Sequence, residues 1–266
     1  MTRPIGVFDS GIGGLTVVRE VVRELPGESL VFLGDTARVP YGTRGEAVIR
    51  QFARELTRYL LARDVKCLVA ACNTISSTCL EAIEAMSPVP VIGVVRPAVR
   101  EAVALTRTRR IGVIGTRATV ASGAYEREIG RLAPDVEVIS RACPLFVPLA
   151  EEGLTHAEAT RLIARDYLAD FASRGIDVLV LGCTHYPLLR DVIQEAVGPD
   201  VRLVDSARPT ARELAARLRQ EGLAAAADSP SYDLLVTDAP QRTGEIARAF
   251  FGGDLPGELR QAALPA

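Results

Sequence analysis

Two cysteines stand at the ends of two apolar runs and are the residues best suited to chemistry in this sequence. Cys72 ends the stretch 67–72, and Cys183 ends the stretch 178–183. A cysteine between a strand and a helix lies beside free backbone amides and the positive end of the helix dipole, which favours the thiolate. A lone cysteine in an apolar run is more often a small buried residue. Two in matching positions instead predict a two-thiol site.

Polar residues follow both cysteines. Asn73 and Thr74 come after the first, and Thr184 and His185 come after the second. Buried polar side chains need hydrogen-bond partners, and a bound polar ligand is one such partner. His185 is one of only two histidines and stands two residues from a thiol whose charge it could stabilise. His156 lies inside a helix-capping motif, and we expect it to be solvated.

Two thiols that face one ligand could remove a proton from one face of a carbon acid and return a proton to the other face. One sulfur must then be a thiolate and the other a thiol. No pyridoxal lysine motif is visible, so the carbanion would need preorganised donors in a closed site. A Cys-His hydrolase built on Cys183 and His185 is one alternative, although it leaves Cys72 without a role. A two-lobed protein that binds an amino acid without chemistry is another.

The glycine-rich turn at residues 9–14 and the loop at residues 36–42 are further candidates for ligand contact. The turn fails the G-x-G-x-x-G test of dinucleotide sites, because Thr16 stands where the third glycine belongs. We predict instead that it brings Asp9, Ser10 and backbone amides close to a small anionic ligand. The loop contains Pro40, Tyr41 and Gly42 at the exit of a predicted strand, where it could line the same site.

Composition indicates a protein that acts on a small molecule. The 266 residues, 48% of them hydrophobic, are enough for one large α/β unit or two domains. A net charge of -2 provides no basic surface for nucleic acid or an anionic membrane. No signal-peptide pattern and no apolar run of about 18 residues is visible, so we expect a cytoplasmic protein. Five cysteines without paired zinc spacing predict free thiols and no metal site.

Strand and helix patterns alternate along the chain and repeat once. Strands are predicted at 5–9, 30–35, 67–72, 89–94, 111–115, 136–139, 178–183 and 201–205. Thr43 with Glu46, and Thr155 with Glu158, form capping boxes that predict helix starts. Thr43 lies 29 residues before Cys72, and Thr155 lies 28 residues before Cys183. The repeat predicts two similar doubly wound α/β domains with mainly parallel sheets and the active site between them.

The second copy is complete by Ser206, which sets the expected domain boundaries. Residues 207–222 read as a helix, 224–230 as a linker, and 232–237 as a strand before a last helix. This tail most simply returns to the first domain. We therefore expect residues 1–95 with 207–266 to form the first domain and residues 96–206 to form the second. The segments 116–122 and 143–148 read as a turn and a loop.

Four motifs, in order, closely resemble those of the glutamate racemases in the aspartate/glutamate racemase family. They are FDSGIGGLT (8–16), GDTARVPYG (34–42), ACNT (71–74) and LGCTHYPL (181–188). The resemblance runs from residue 5 to about residue 206. It implies two α/β domains related by an internal pseudo-twofold axis. It also implies racemisation of glutamate without a cofactor, which supplies D-glutamate for peptidoglycan.

The resemblance also implies roles for individual residues. Cys72 would be the acid/base residue for the D-isomer, and Cys183 would be the one for the L-isomer. Asp9 would assist the first cysteine, whereas His185 with Glu152 would assist the second. Sequence register does not decide between Glu152 and its neighbour for this last role.

The substrate contacts implied by the same motifs come from both halves of the chain: Ser10, Tyr41, Gly42, Asn73, Thr74, Thr116, Thr119 and Thr184. The expected ligand is glutamate, with aspartate or another amino acid as an alternative substrate. The sequence leaves the oligomeric state open, a homodimer included.

Overall fold

The structure, a computed structural model, describes residues 3–171, 173–225 and 229–264. Its strands are β1 (Ile5–Asp9), β2 (Leu30–Gly34), β3 (Cys67–Ala70), β4 (Val91–Gly93), β5 (Arg110–Gly115), β6 (Glu137–Ala142), β7 (Val178–Gly182), β8 (Arg202–Asp205), β9 (Tyr232–Val236) and β10 (Leu259–Gln261). Its helices are α1 (Leu15–Glu24), α2 (Glu46–Leu61), α3 (Asn73–Thr78), α4 (Leu80–Met86), α5 (Val95–Leu105), α6 (Arg117–Ala121), α7 (Ala124–Leu132), α8 (Phe146–Glu151), α9 (Glu158–Leu168), α10 (Arg190–Val197), α11 (Ala207–Gln220) and α12 (Pro240–Phe251).

Two parallel sheets share one strand order. The larger sheet runs β10-β9-β2-β1-β3-β4, and the smaller runs β6-β5-β7-β8. Each therefore contains the second, first, third and fourth strands of its half of the chain in that spatial order. All pairings between the described strands are parallel. The predicted α/β class with two similar, parallel sheets is confirmed.

Helices cover both faces of each sheet, which explains the continuous apolar runs of the strands. In β1, Val7 packs with α1, α11 and α12, whereas Phe8 packs with α2 and α4 on the opposite face. In β5, Val113 packs with α5 and α7, and Ile114 packs with α9 and α10. Strands buried on both faces have no polar side, so they lack the alternation of a half-exposed strand.

The tail of the chain joins the larger sheet. Strand β9 pairs with β2, and β10 pairs with β9 at the edge. The sequence patterns did not predict β10, because its three residues Leu259–Gln261 include only one apolar side chain. The linker predicted at 224–230 includes residues 226–228, which lie outside the described part of the chain.

The two predicted capping boxes are wrong, although both helices begin near the predicted places. Helices α2 and α9 start at Glu46 and Glu158, and no side chain caps the first turn of either. Thr43 lies instead in a single 3₁₀ turn, Tyr41–Thr43, three residues before the first residue of the helix. The two halves remain equivalent in this respect, because each helix begins at the glutamate of its motif.

Two short helices replace segments predicted as irregular. Residues 116–122 contain α6, which Thr116 caps by accepting a hydrogen bond from the backbone N–H of Thr119 at 3.2 Å. Residues 143–148 lead into α8. Helices of five or six residues complete fewer than two turns, so they show no 3.6-residue apolar period.

Candidate active site

Cys72 and Cys183 line one cavity at the carboxyl ends of the two sheets. Cys72 lies two residues beyond β3 and immediately precedes α3, and Cys183 follows β7 directly. Their exposed fractions are only 4% and 6%. The cavity measures about 20 Å³, which is room for little more than one water molecule.

Most of the predicted site residues surround this cavity. Those on its wall are Ser10, Tyr41, Gly42, Cys72, Asn73, Thr74, Thr116, Cys183, Thr184 and His185. Three apolar residues outside the predicted set also line it: Val39, Pro40 and Val147. Val39 and Pro40 belong to a recognised motif, whereas Val147 lies on α8, which the sequence patterns missed. Asp9, Thr119 and Glu152 lie off the wall.

Asp9 is completely buried at the end of β1. Its Oδ2 accepts hydrogen bonds from the backbone N–H groups of Gly11 at 3.2 Å and Gly14 at 3.1 Å. The carboxylate therefore uses two of the turn amides that we expected to face a ligand. Burial raises the pKa of Asp9, although the positive charge of His185 and these amides oppose the shift.

Cys72 is held as a thiol in this environment. Its Sγ lies 3.3 Å from the Ser10 Oγ. Burial raises the pKa of the Cys72 thiol, and the negative charge of Asp9 raises it further. The expectation that both strand exits favour thiolate is therefore wrong for Cys72, because desolvation and a nearby carboxylate outweigh the helix dipole.

His185 supplies the opposite charge beside Cys183. Its Nδ1 lies 3.9 Å from the Cys183 Sγ and 3.3 Å from the Thr184 Oγ1, and its Nε2 lies 2.9 Å from the Glu151 Oε1. Burial by itself lowers the pKa of His185, but hydrogen bonds to Cys183 and Glu151 raise it to about 10. An imidazolium at this position stabilises negative charge on the Cys183 sulfur.

The glutamate that contacts His185 is Glu151, so the prediction of Glu152 is corrected by one residue. Glu151 ends α8, and Glu152 is the residue that follows the helix. Neighbouring residues on a helix point about 100° apart, so only one of the two can face the imidazole. The register of α8 could have identified it, but this helix was not predicted.

Threonine hydroxyls from both halves meet at one side of the cavity. The Oγ1 atoms of Thr74 and Thr116 are 3.0 Å apart, as are those of Thr116 and Thr119. Gly42 permits this approach, because a β-carbon placed on it would lie 2.5 Å from the Thr116 Cβ. Gly13 likewise permits the close approach of Thr184, the residue after Cys183, because a β-carbon added to Gly13 would lie 2.4 Å from the Thr184 Oγ1.

Asn73 has protein partners at both ends of its amide. Its Nδ2 donates to the Ser206 Oγ at 3.1 Å, and its Oδ1 accepts from the Tyr125 hydroxyl at 2.6 Å. Neither partner belongs to the recognised motifs. Both lie in the second half of the chain, so sequence spacing gave no signal for them.

Metal-binding side-chain groups and membrane-spanning helices were the other two features sought in the described residues. Among the residues that the structure describes, no group of three or more His, Cys, Asp or Glu side chains could hold a metal ion. In the same residues, no helix combines the length and the hydropathy that crossing a membrane requires.

Comparison with known proteins places this geometry in a family. Residues 5–214 match the family model of the Asp/Glu/Hydantoin racemases. A glutamate racemase of Geobacter metallireducens is 48% identical over 99% of this chain and 98% of its own length. The structure of a Bacillus anthracis glutamate racemase isoform has a TM-score of 0.95 at 36% identity and covers 99% of this chain and 98% of its own. A Francisella tularensis glutamate racemase solved in complex with D-glutamate has a TM-score of 0.91 at 36% identity, covering 100% and 98%. The chain belongs to the Asp/Glu/Hydantoin racemase family.

Proposed function

We propose that this chain interconverts L-glutamate and D-glutamate by moving the α-proton between Cys72 and Cys183, without a cofactor. The main support is that both cysteines, at equivalent strand exits of two sheets with the same order, line one cavity. The full-length relatives that share about half of its residues are glutamate racemases. The charged groups beside the two sulfurs also differ: Asp9 lies near Cys72, and His185 lies near Cys183. A two-base reaction needs such a difference, because one sulfur must start as a thiol and the other as a thiolate.

The proton balance follows from these charges. With L-glutamate, the Cys183 thiolate takes the α-proton, which forms an S–H bond and leaves the electron pair on the α-carbon. The Cys72 thiol then gives its proton to the opposite face, and the product is D-glutamate. Cys72 ends as a thiolate and Cys183 as a thiol, so the reverse reaction starts from D-glutamate at Cys72.

His185 and Asp9 set the starting charges in this scheme. The His185 imidazolium, held by Glu151, stabilises negative charge on Cys183. Burial, together with the negative charge of Asp9, keeps Cys72 protonated until the carbanion forms. The 20 Å³ cavity is too small for glutamate, so the loops of the two halves must separate to admit substrate and close again. Closure excludes water from the carbanion.

We further propose that the remaining wall residues hold the substrate: Ser10, Tyr41, Gly42, Asn73, Thr74, Thr116 and Thr184. Thr119, which lies off the wall, would assist through its hydroxyl contact with Thr116. The two sheets are then the centres of two domains, 1–95 with 207–266 and 96–206, and substrate binds between them. Supply of D-glutamate for peptidoglycan in the cytoplasm is the corresponding cellular role. It stays a prediction, as does the absence of a cofactor.

Incubation with each enantiomer of glutamate in heavy water tests the proposal. The native protein should exchange the α-proton of both enantiomers for deuterium and racemise them. Cys72→Ser should lose exchange preferentially with D-glutamate, and Cys183→Ser should lose it preferentially with L-glutamate. Retention of the α-proton by the native protein would refute proton transfer. A higher kcat/KM for aspartate than for glutamate would refute the substrate assignment.

A further inference from the structure

We propose that Tyr125 is a positioning residue that links the two cysteine-bearing strand exits and fixes the position of one relative to the other. The inference rests on the function proposed above and extends it to a residue outside the four motifs. Tyr125 lies on α7, beside the smaller sheet, and its side chain is only 1% exposed.

The hydroxyl of Tyr125 reaches the exit of the other sheet. It donates to the Asn73 Oδ1 at 2.6 Å, and Asn73 is the residue directly after Cys72. Burial raises the pKa of Tyr125, and the negative charge of Cys183 raises it further, so the phenol keeps its proton and remains a donor. The hydrogen bond therefore connects the second half of the chain to the residue that adjoins the first sulfur.

The ring of Tyr125 packs against the exit of its own sheet. A β-carbon placed on Gly182 would lie 2.7 Å from the Ile114 carbonyl oxygen and 3.2 Å from the Tyr125 Cε2, so the glycine lets both the neighbouring strand and the ring approach closely. Gly182 is the last residue of β7 and directly precedes Cys183. One rigid side chain thus contacts the neighbour of each cysteine.

The geometry predicts what loss of the hydroxyl would do. In Tyr125→Phe, the ring still packs on Gly182, whereas the Asn73 Oδ1 loses its buried donor. Asn73 retains only Ser206, and the Cys72 exit is less restrained relative to Cys183. Since a two-base reaction needs both sulfurs placed on the α-carbon together, the variant should lower kcat more than it raises KM.

Racemase kinetics test this expectation in a double-mutant cycle. Tyr125→Phe should lower kcat about tenfold, which corresponds to about 1.4 kcal/mol, while KM changes by less than about threefold. In an Asn73→Ala background, the same substitution should change kcat by less than about twofold, because its partner is already gone. Tyr59→Phe is the control: it removes a partly buried hydroxyl on α2 that accepts a hydrogen bond from Arg63 and is absent from the cavity wall. A full tenfold loss in both backgrounds would overturn the proposed role.

Cysteine alkylation by iodoacetamide, followed by mass spectrometry, gives a readout that does not depend on activity. Tyr125→Phe should raise the alkylation rate of Cys72 about tenfold relative to Cys67, which is fully buried elsewhere. Tyr59→Phe should leave this ratio unchanged. If the native protein fails to racemise glutamate, the proposed function is wrong, and the alkylation ratio still decides the role of Tyr125. An unchanged ratio in Tyr125→Phe refutes the link.

Discussion

The contact between Glu151 and His185 can be tested directly, because it should maintain the positive charge of the His185 imidazolium. Glu151→Gln keeps the size of the side chain and an acceptor oxygen but removes the negative charge 2.9 Å from the His185 Nε2. The imidazolium then loses one of the two groups that raise its pKa to about 10. We expect the basic form of His185 to appear at lower pH and negative charge on Cys183 to be less stabilised.

The size of the effect follows from the exposure of the two partners. A hydrogen bond to a charged group contributes about 1.5–3 kcal/mol. His185 is almost fully buried, but the Glu151 side chain is 35% exposed, so solvent screens the pair. We therefore take the lower end, about 1.5 kcal/mol, which corresponds to roughly a tenfold fall in kcat/KM. Because the enantiomers are equal in free energy, kcat/KM must fall by the same factor in both directions.

The assay follows racemisation by circular dichroism from about pH 7 to about pH 11, a range that covers the titration of His185. In Glu151→Gln, the basic limb of the kcat/KM profile should move down by about one pH unit. Glu152→Gln is the matched control, because it removes the same charge one residue along the chain without touching the imidazole.

Two results would contradict this account. An equal loss of activity in Glu151→Gln and Glu152→Gln would show that general surface charge, rather than the contact, is responsible. An unshifted basic limb in Glu151→Gln would show that Glu151 does not maintain the charge of His185.

Three further predictions concern close approach, buried hydrogen bonds and pH. Gly13→Ala should cost about 1–3 kcal/mol of unfolding free energy and most of kcat/KM, because its β-carbon would lie 2.4 Å from the Thr184 Oγ1. Gly45→Ala, with no atom within 4 Å of the added carbon, should leave kcat/KM unchanged and alter the unfolding free energy by less than about 1 kcal/mol, because the loss of an N-cap glycine is offset by a less flexible unfolded chain. Tyr41→Phe should lower the unfolding free energy in urea by about 1–3 kcal/mol, because the buried Asp35 carboxylate loses the Tyr41 hydroxyl. The raised pKa of His185 contributes stability that is complete below about pH 6.5 and is lost as pH rises through about 10. His185→Asn should therefore show a smaller fall in urea midpoint over that range than the native protein, and an equal fall would reject the shift.

The residues at the strand exits can be predicted in this fold because the signals that mark them are local. A buried parallel strand is an apolar run, and the residues after it lie at the carboxyl edge of the sheet whatever packs around it. Ser10, Tyr41, Cys72 and Cys183 each follow such a run and all reach one cavity. Repetition of the pattern was enough to predict two parallel sheets, since each half supplies its own strand order.

The weaker predictions depended on short elements. Helices α6 and α8 complete fewer than two turns, and β10 has three residues, so no periodic signal distinguishes them from loops. Without the register of α8, the sequence does not show that Glu151 rather than Glu152 faces His185. Thr43 lies in a 3₁₀ turn, and the N-cap positions of α2 and α9 are occupied by Gly45 and Ala157, so neither predicted threonine caps its helix.

The paired cysteines, the repeat and the carboxyl edge of each sheet as the place of the candidate site can all be read from the sequence. Three properties are visible only in the folded protein: the raised pKa of Cys72, the raised pKa of His185, and the contacts of Tyr125 with the neighbours of both sulfurs. Protonation depends on desolvation and on charges from distant parts of the chain. Contacts between the halves depend on how closely the two sheets approach. Periodicity in the sequence records only which side of an element is buried. It therefore indicates neither the protonation states nor the contacts between the halves.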